Sequence, residues 1–479
     1  MKFELQGGQS SGRSIDFNGT IRKNFYTEFS KSPNSKSPTV LIGRPGLKLE
    51  TTLIPDSGSD GRGEYVTPNN RWFIVVGNTL FERDLLGNNT NRGNLNTTYG
   101  TVKMVSNGLD LTIVDGTNGY NLKLATNVLL PINTTNFPDS GGFPNNTTHI
   151  VFIDQYLIAF DPTTFKYYWS GIRDAETWDV LNRGVAEYLP DHIKAIEVLK
   201  GNLWIFCEDT TEVHYNTGKL TDTFIRRQGA VQDFGTDAKY SVAKLNNSVF
   251  WIGSNKDGNK VIFKSVGFNV KKISDHDIEY TLRQLTDVSD AIGFGYQEEG
   301  HFFYQLTFLA GNKTLTWDES SEEWHERTYY NNEGKEGQSI EVYHALFNNK
   351  NYVLSRLDGK IYEYDLDTYS DNGQEIIGEF TLPTIHSEQE WVYFKRIQID
   401  MEMGVGLVTG QGSAPLMGIS WSNDGGHNYD SEEEVPIGKL GDYTARAYLD
   451  RLGRSRNRKF KLRISDPIKR VIFSAIVRL

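Results

Sequence analysis

The apolar positions of this chain fall in short runs rather than on helical faces. Runs rich in β-branched and aromatic residues begin near Trp72 (through Val76), Leu111, Ile150, Leu203 (through Cys207), Val249, Phe302 and Tyr352, at intervals of 39, 39, 53, 46, 53 and 50 residues. Each run gives way to Gly, Asn or Asp and then to a second run of different character. Val76 passes through Gly77 and Asn78 into Leu80 to Arg83, and Gly253 through Asn255, Asp257 and Gly258 into Val261 to Phe263. Leu354 likewise passes through Asp358-Gly359 into Ile361 to Tyr364. Such joints mark hairpins, because tight turns need residues that tolerate positive φ. Helical periodicity is scarce. It is clearest at Ser274 to Leu285, where Ser274 and Asp277 can form a capping box and Ile278, Leu282 and Leu285 share a face. A shorter candidate spans Asp191 to Leu199.

A unit of ~40–50 residues holding about four strands predicts an all-β chain built on a β-propeller of six or seven blades. The first strand of each unit, apolar on both faces, suits a strand packed between neighbouring blades. Tandem β-sandwiches space their strands similarly and are the competing arrangement. The hairpin rhythm stops near residue 380. We therefore expect a propeller with an N-terminal arm over 1–380 and a small C-terminal β domain over 381–479.

Composition narrows the function classes. With 479 residues the chain is too long for one ordinary core, and 38% apolar with 12% aromatic residues excludes global disorder. One cysteine, Cys207, permits no internal disulfide and no cysteine-rich metal site; set in an apolar run, it reads as a buried small side chain. There is no apolar core near Met1 of the kind a secretory signal needs and no run long enough to span a bilayer, so a soluble protein is expected. Asn-x-Thr triplets at Asn18, Asn96, Asn133, Asn146 and Asn312 are what an Asn- and Thr-rich chain produces by chance.

Enzyme signatures are missing. No phosphate-loop, His-Glu-x-x-His or Gly-x-Ser-x-Gly pattern occurs, and His325-Glu326 lacks a second zinc-binding His. Gly404-Val405-Gly406 and Gly410-Gln411-Gly412 resemble a dinucleotide loop only superficially. The acidic pairs Glu298-Glu299 and Glu322-Glu323, and the group Asp430 with Glu432 to Glu434, read as solvated turns. Asp365, Asp367 and Asp371 hint at a calcium loop but fail the EF-hand spacing. Ser422-Asn423-Asp424-Gly425-Gly426 followed by Tyr429 resembles an Asp-box hairpin, with Ser422, Asp424 and Gly426 as a structural turn rather than a catalytic one. No catalytic residue, cofactor site or metal site is assigned.

Charge changes the picture at the C-terminus. The chain carries −11 overall, yet its last 34 residues carry +9, leaving −20 on the other 445. Read as a strand, Arg456 to Ile464 puts Lys459, Lys461 and Arg463 on one face and Phe460, Leu462 and Ile464 on the other. Arg454, Arg456, Arg458, Lys459, Lys461 and Arg463 are the candidate charged contact surface. The ordinary reading is a solvated or salt-bridged face opposite acidic regions such as Glu432 to Glu434. The sharper one is a contact with DNA phosphates, sequence-independent because little aromatic residue is interleaved.

Several motifs, in order, resemble the packaged-DNA stabilisation proteins (tail hub or nozzle proteins) of short-tailed bacteriophages. They are Leu41 to Leu47 (Leu-Ile-Gly-Arg-Pro-Gly-Leu), Ser170 to Trp178, Thr211 to Tyr215 and Trp324 to Arg327. The likeness continues through Gly404 to Gly406, Ser422 to Gly426, Gly438 to Tyr443, Arg451 to Arg456 and Ile464 to Pro467. The resemblance implies a virion tail protein made in the bacterial host cytoplasm and assembling as a hexameric ring below the portal and adaptor. That ring would close in the packaged genome and extend the ejection channel, with tail fibres, spikes or a needle as partners. It would meet genomic DNA without sequence preference, and no membrane. The net-acidic charge suits a repulsive channel wall along which duplex slides. The alternatives are a sialidase-like glycan-active propeller enzyme, which would need three convergent arginines, and a monomeric receptor-binding module.

Overall fold

The computed structural model describes the chain except residues 6, 33, 55–59, 133–145, 255–257 and 259 and the side chain of residue 180. Asn133 and the turn residues Asn255 and Asp257 lie outside the described residues.

Among the described residues seven four-stranded antiparallel blades follow one another, five as separate sheets and two as parts of larger ones, which places the architecture at the upper of the two expected blade counts. Blade 1 runs from Gly61 to Asn94, blade 2 from Lys103 to Pro131 and blade 3 from Ile150 to Val185. Blade 4 runs from Ile193 to Gln232, blade 5 from Ala243 to Lys272 and blade 6 from Ile292 to Tyr330. Blade 7 takes three strands from Glu341 to Asp365 and its outermost strand, Gly46–Thr52, from near the N-terminus. Its innermost strand packs against those of blades 6 and 1, so the ring closes.

The periodic apolar runs mark, with one exception, the second strand of a blade rather than the first. Trp72–Val76, Asn202–Cys207 and Asp110–Val114 are second strands and buried at every residue, whereas the run at Ile150 is innermost. The reason is geometric. A second strand has ladder partners on both edges and neighbouring blades on both faces, while an innermost strand turns one edge to the central axis.

Of the two helical expectations, one holds with a shifted cap. The helix spans His276–Gln284, and Asp275 rather than Ser274 caps it, accepting from the N–H groups of Asp277 and Ile278. Residues 191–199 instead form the strand Ile193–Leu199, innermost in blade 4. A tight turn at Lys200 (φ 50°) and Gly201 (φ 70°) folds this segment onto Asn202–Cys207, and sheet pairing overrides the local periodicity.

Beyond the propeller lies a β-sandwich. One sheet orders Ala447–Asp450, Arg396–Met401, Val471–Arg478, Thr39–Gly43 and Phe25–Phe29, with Lys2–Glu4 also pairing with Val471–Arg478. The other orders Glu433–Pro436, Leu416–Ser422, Asn457–Ile464, Gly378–Thr381 and Arg22–Lys23. Lys23 bridges in parallel to Glu326, so this sheet continues into blade 6. Strands from residues 1–43 thus build the sandwich together with the C-terminal hundred residues. Phe25, Leu41, Phe380, Phe460, Leu462, Ile464 and Ile472 fill its core.

Candidate contact surface on the sandwich

The basic strand Asn457–Ile464 sits mid-sheet, between Leu416–Ser422 and Gly378–Thr381. Phe460, Leu462 and Ile464 point inward and are fully buried, as their alternation requires. The six cations around them divide into three environments.

Arg458 and Lys459 are interior. The Arg458 guanidinium donates to Asn423 Oδ1 (3.0 and 2.9 Å) and to the Leu452 carbonyl (2.5 Å), and lies over the Phe394 ring at 4.4 Å. Burial pushes its pKa down to about 10. Lys459 was expected on an outer face but is 4% exposed. The short helix Ile15–Asn18 lies across it, and the ammonium donates to the carbonyls of Ile15 and Gly19; burial lowers its pKa, with Asp16 opposing.

Lys461 and Arg463 are half-buried and answered by acid. Arg463 lies 3.8 Å from Glu432, the intramolecular pairing anticipated for that acidic stretch. Lys461 reaches Glu379 at 4.0 Å and sits over the Tyr429 ring at 4.6 Å.

Arg454 and Arg456 are exposed, and among the described residues neither meets a carboxylate within ion-pair distance. Both guanidiniums instead lie over one indole, Trp391, at 4.7 and 5.1 Å. The ribbon Val392–Tyr393, paired with Arg454–Ser455, brings the two segments together. Trp391 is 50% and Tyr393 62% exposed, and Arg396, paired with Asp450, covers Tyr448 next door. Arginine, tryptophan and tyrosine exposed together form the composition of an interface hot spot. Sequence reading missed Trp391 and Tyr393 and so found little aromatic interleaving. The signal was a Trp-Val-Tyr triplet in a polar stretch, indistinguishable locally from a core strand.

The Asp-box residues form a closed turn beside this strand. The Asp424 carboxylate accepts from the N–H groups of His427 (3.0 Å) and Asn428 (2.9 Å) and from the Ser422 hydroxyl (2.6 Å). These bonds hold its pKa well below the usual carboxylate range, the Asn428 N–H contributing most. Gly426 N–H donates to Ser422 Oγ at 2.8 Å.

Elsewhere, groups that suggest chemistry are committed internally. A Glu212–His214–Tyr167 chain, with both contacts at 2.9 Å, is buried in the propeller wall, out of reach of any substrate. Asp371, from the calcium-loop hint, is fully buried and bonded to Arg44 at 2.5 Å. Of the other large buried guanidiniums, Arg62 donates to the carbonyls of Gly77, Thr97, Tyr99 and Gly100, and Arg327 to the hydroxyls of Tyr296 and Tyr364. The axial cavity, about 440 Å³, is lined by mixed charges that include Glu64, Lys103, Glu197 and Lys244. Burial pushes Glu64 up to about 8, opposed by the Trp72 indole N–H. Among the described residues no three His, Cys, Asp or Glu side chains gather as metal ligands, and no helix is long and apolar enough to cross a membrane.

A propeller closed by an N-terminal strand, continued through one blade into a sandwich and displaying its spare charge outward, defines a two-part β protein of the propeller–sandwich type. The chain belongs to the bacteriophage P22 Gp10 family: residues 1–368 match its description "Bacteriophage P22 Gp10, beta-propeller" and residues 378–479 "Bacteriophage P22 Gp10, beta-sandwich". It is therefore a phage structural protein, a virion component of the kind that stabilises packaged DNA. No curated protein matches it.

Similar solved structures include the N-terminal domain of Nup159 (8% identity, 72% of this chain and 98% of that one, TM-score 0.41). The WD40 propeller domain of Doa1 (12% identity, 66% and 96%, TM-score 0.40) and BamB from Moraxella catarrhalis (11% identity, 76% and 98%, TM-score 0.38) are also similar. At that level of superposition they carry no functional argument.

Proposed function

We propose that the chain works as a ring-forming tail hub, six copies below the portal and adaptor, closing the packaged genome and forming part of the ejection channel. Membership of the family over both domains, with the exposed Arg454–Arg456–Trp391–Tyr393 surface, is the observation that carries this reading. Of the six candidate cations, Arg458 and Lys459 are spent on the fold and Lys461 and Arg463 face acid, which leaves Arg454 and Arg456 for contact with partners. The remaining −20 supplies a wall from which duplex DNA is repelled, letting it slide during ejection. Portal and adaptor rings above, and fibres, spikes or a needle below, are the partners this reading assigns. A fully buried Cys207, its thiol pKa pushed up by burial, fits synthesis in the host cytoplasm, where no disulfide is needed.

Imaging of intact particles tests the reading. The expected density is a ring of this propeller–sandwich shape coaxial with the tail. A single copy at a fibre tip would assign it to receptor binding instead. In solution, a fluorogenic glycoside panel should show no turnover; hydrolysis abolished by one carboxylate substitution would favour the glycan-active alternative.

A further inference from the structure

The sandwich displays opposite charges in two places and neutralises neither. Arg454 and Arg456 stand over Trp391 with no acidic partner, their planes ordered by the indole, so little rotamer freedom is left to lose on binding. At the end of a different sheet from the Arg454–Ser455 ribbon, the edge strand Glu433–Pro436 pairs, among the described residues, only with Leu416–Ser422. Arg463 takes Glu432, but Glu433 and Glu434 are exposed and meet no cation among the described residues. The turn that follows exposes Leu440 (54%) and Tyr443 (76%), so apolar surface accompanies the acid as it accompanies the arginines. Glu388 and Glu390, both exposed, flank Trp391 in sequence. A phosphate backbone offers Trp391 and Tyr393 no apolar surface to cover them, whereas an acidic segment next to Leu440 and Tyr443 does.

We propose that Arg454 and Arg456 of one copy receive the acidic edge strand of the next through Glu434, which shares the outer face of its sheet with Arg463, with Trp391 and Tyr393 covering the contact. This deepens the ring reading and rests on it. Two different patches of one chain make a head-to-tail contact, which generates a closed ring when the rotation between copies closes.

Because Cys207 is buried, an introduced surface cysteine is the single reactive thiol of this chain, which makes cross-linking clean. Chains carrying Arg456→Cys, mixed with chains carrying Glu434→Cys, should form a disulfide-linked pair under mild oxidation. Arg456→Cys mixed with Lys219→Cys, at an exposed position in blade 4, should not. In sedimentation, Arg454→Glu with Arg456→Glu should weaken self-association by roughly tenfold or more. Glu433→Arg with Glu434→Arg should do the same, and all four changes in one chain should restore association.

Rings that form without the Arg456–Glu434 cross-link, and that ignore the charge reversals, would overturn the contact while leaving the ring standing. Wild-type chains that are single both in solution and in particles would overturn the ring and the contact together. Reversals that weaken duplex-DNA binding but not self-association would assign the surface to nucleic acid and likewise overturn the contact.

Discussion

The seams between blades and the seam between propeller and sandwich are built on opposite principles. At three of the blade seams the contacts are aromatic. Trp72 of blade 1 meets Phe347 and Tyr352 of blade 7 at 5.2 and 4.8 Å, Phe206 of blade 4 meets Trp251 of blade 5 at 5.2 Å, and Phe250 of blade 5 meets Tyr304 of blade 6 at 5.0 Å. Where propeller meets sandwich the interior is ionic. Arg44 donates to Asp371, to Asn24 Oδ1 (2.8 Å) and to the Thr328 carbonyl (3.1 Å), and Arg470 donates to the Ile376 carbonyl (2.8 Å), all buried. Blade strands satisfy their backbones by ladder pairing, so their side chains are free to be apolar. Ile376 lies between strands, and the Arg470 guanidinium brings the donor its carbonyl lacks, while Arg44 reaches the Thr328 carbonyl in the outer strand of blade 6. This accounts for one family motif. Thr39–Gly43 belongs to the sandwich, Arg44 holds the crossing, and a Cβ at Gly46 would run into the carbonyls of Thr368 and Ser370 just where the ring-closing strand begins.

The two seams should fail differently. Trp251→Ala and Arg44→Ala should each cost about 3–5 kcal/mol, the first by leaving a cavity and the second by stranding a buried carboxylate. Denaturant unfolding measures both. The contrast sharpens with Arg44→Met combined with Asp371→Leu. Removing the ion pair whole should cost far less than removing Arg44 alone, whereas no such rescue exists for Trp251. A double variant as damaged as Arg44→Ala would erase the distinction.

Within the basic segment, Arg458→Ala should cost about 2–3 kcal/mol through lost charged hydrogen bonds and ring packing. The axial cavity adds a pH test. Glu64 titrates near 8 in the folded chain but near the ordinary 4.5 when unfolded, so its neutral form favours folding at low pH. That contribution is lost as pH rises from about 4.5 through about 8. Glu64→Gln should flatten this decline by on the order of 3 kcal/mol between about pH 5 and pH 8, read as the change in unfolding midpoint. The smallest effect is expected at Arg456→Ala, within about 0.5 kcal/mol of wild type in stability. Its consequence belongs to assembly.

Much of the propeller was legible because a blade is a local object. Asp358-Gly359 sits between strands that pair across it, and the runs at Trp72, Leu203 and Val249 are buried because every second strand meets the same surroundings. Residues 191–199 misled because Ile193, Ile196 and Leu199 fit a helical face as well as a strand, and the turn at Lys200-Gly201 decided between them. The candidate site was legible only in part. Its alternation named Phe460, Leu462 and Ile464 as interior but could not say that Ile15–Asn18 covers Lys459. Nor could it show Trp391 meeting Arg454 across some sixty residues of chain.

Sequence alone determined the strand-and-turn repeat, the apolar interior of the blades and the uneven charge, since each follows from neighbours within one hairpin. Tertiary structure decided which strand closes the ring, which terminal strands complete the sandwich, and which cations remain free. Those outcomes depend on pairing between segments hundreds of residues apart. A strand's own pattern states which face is apolar, never what comes to lie on the other.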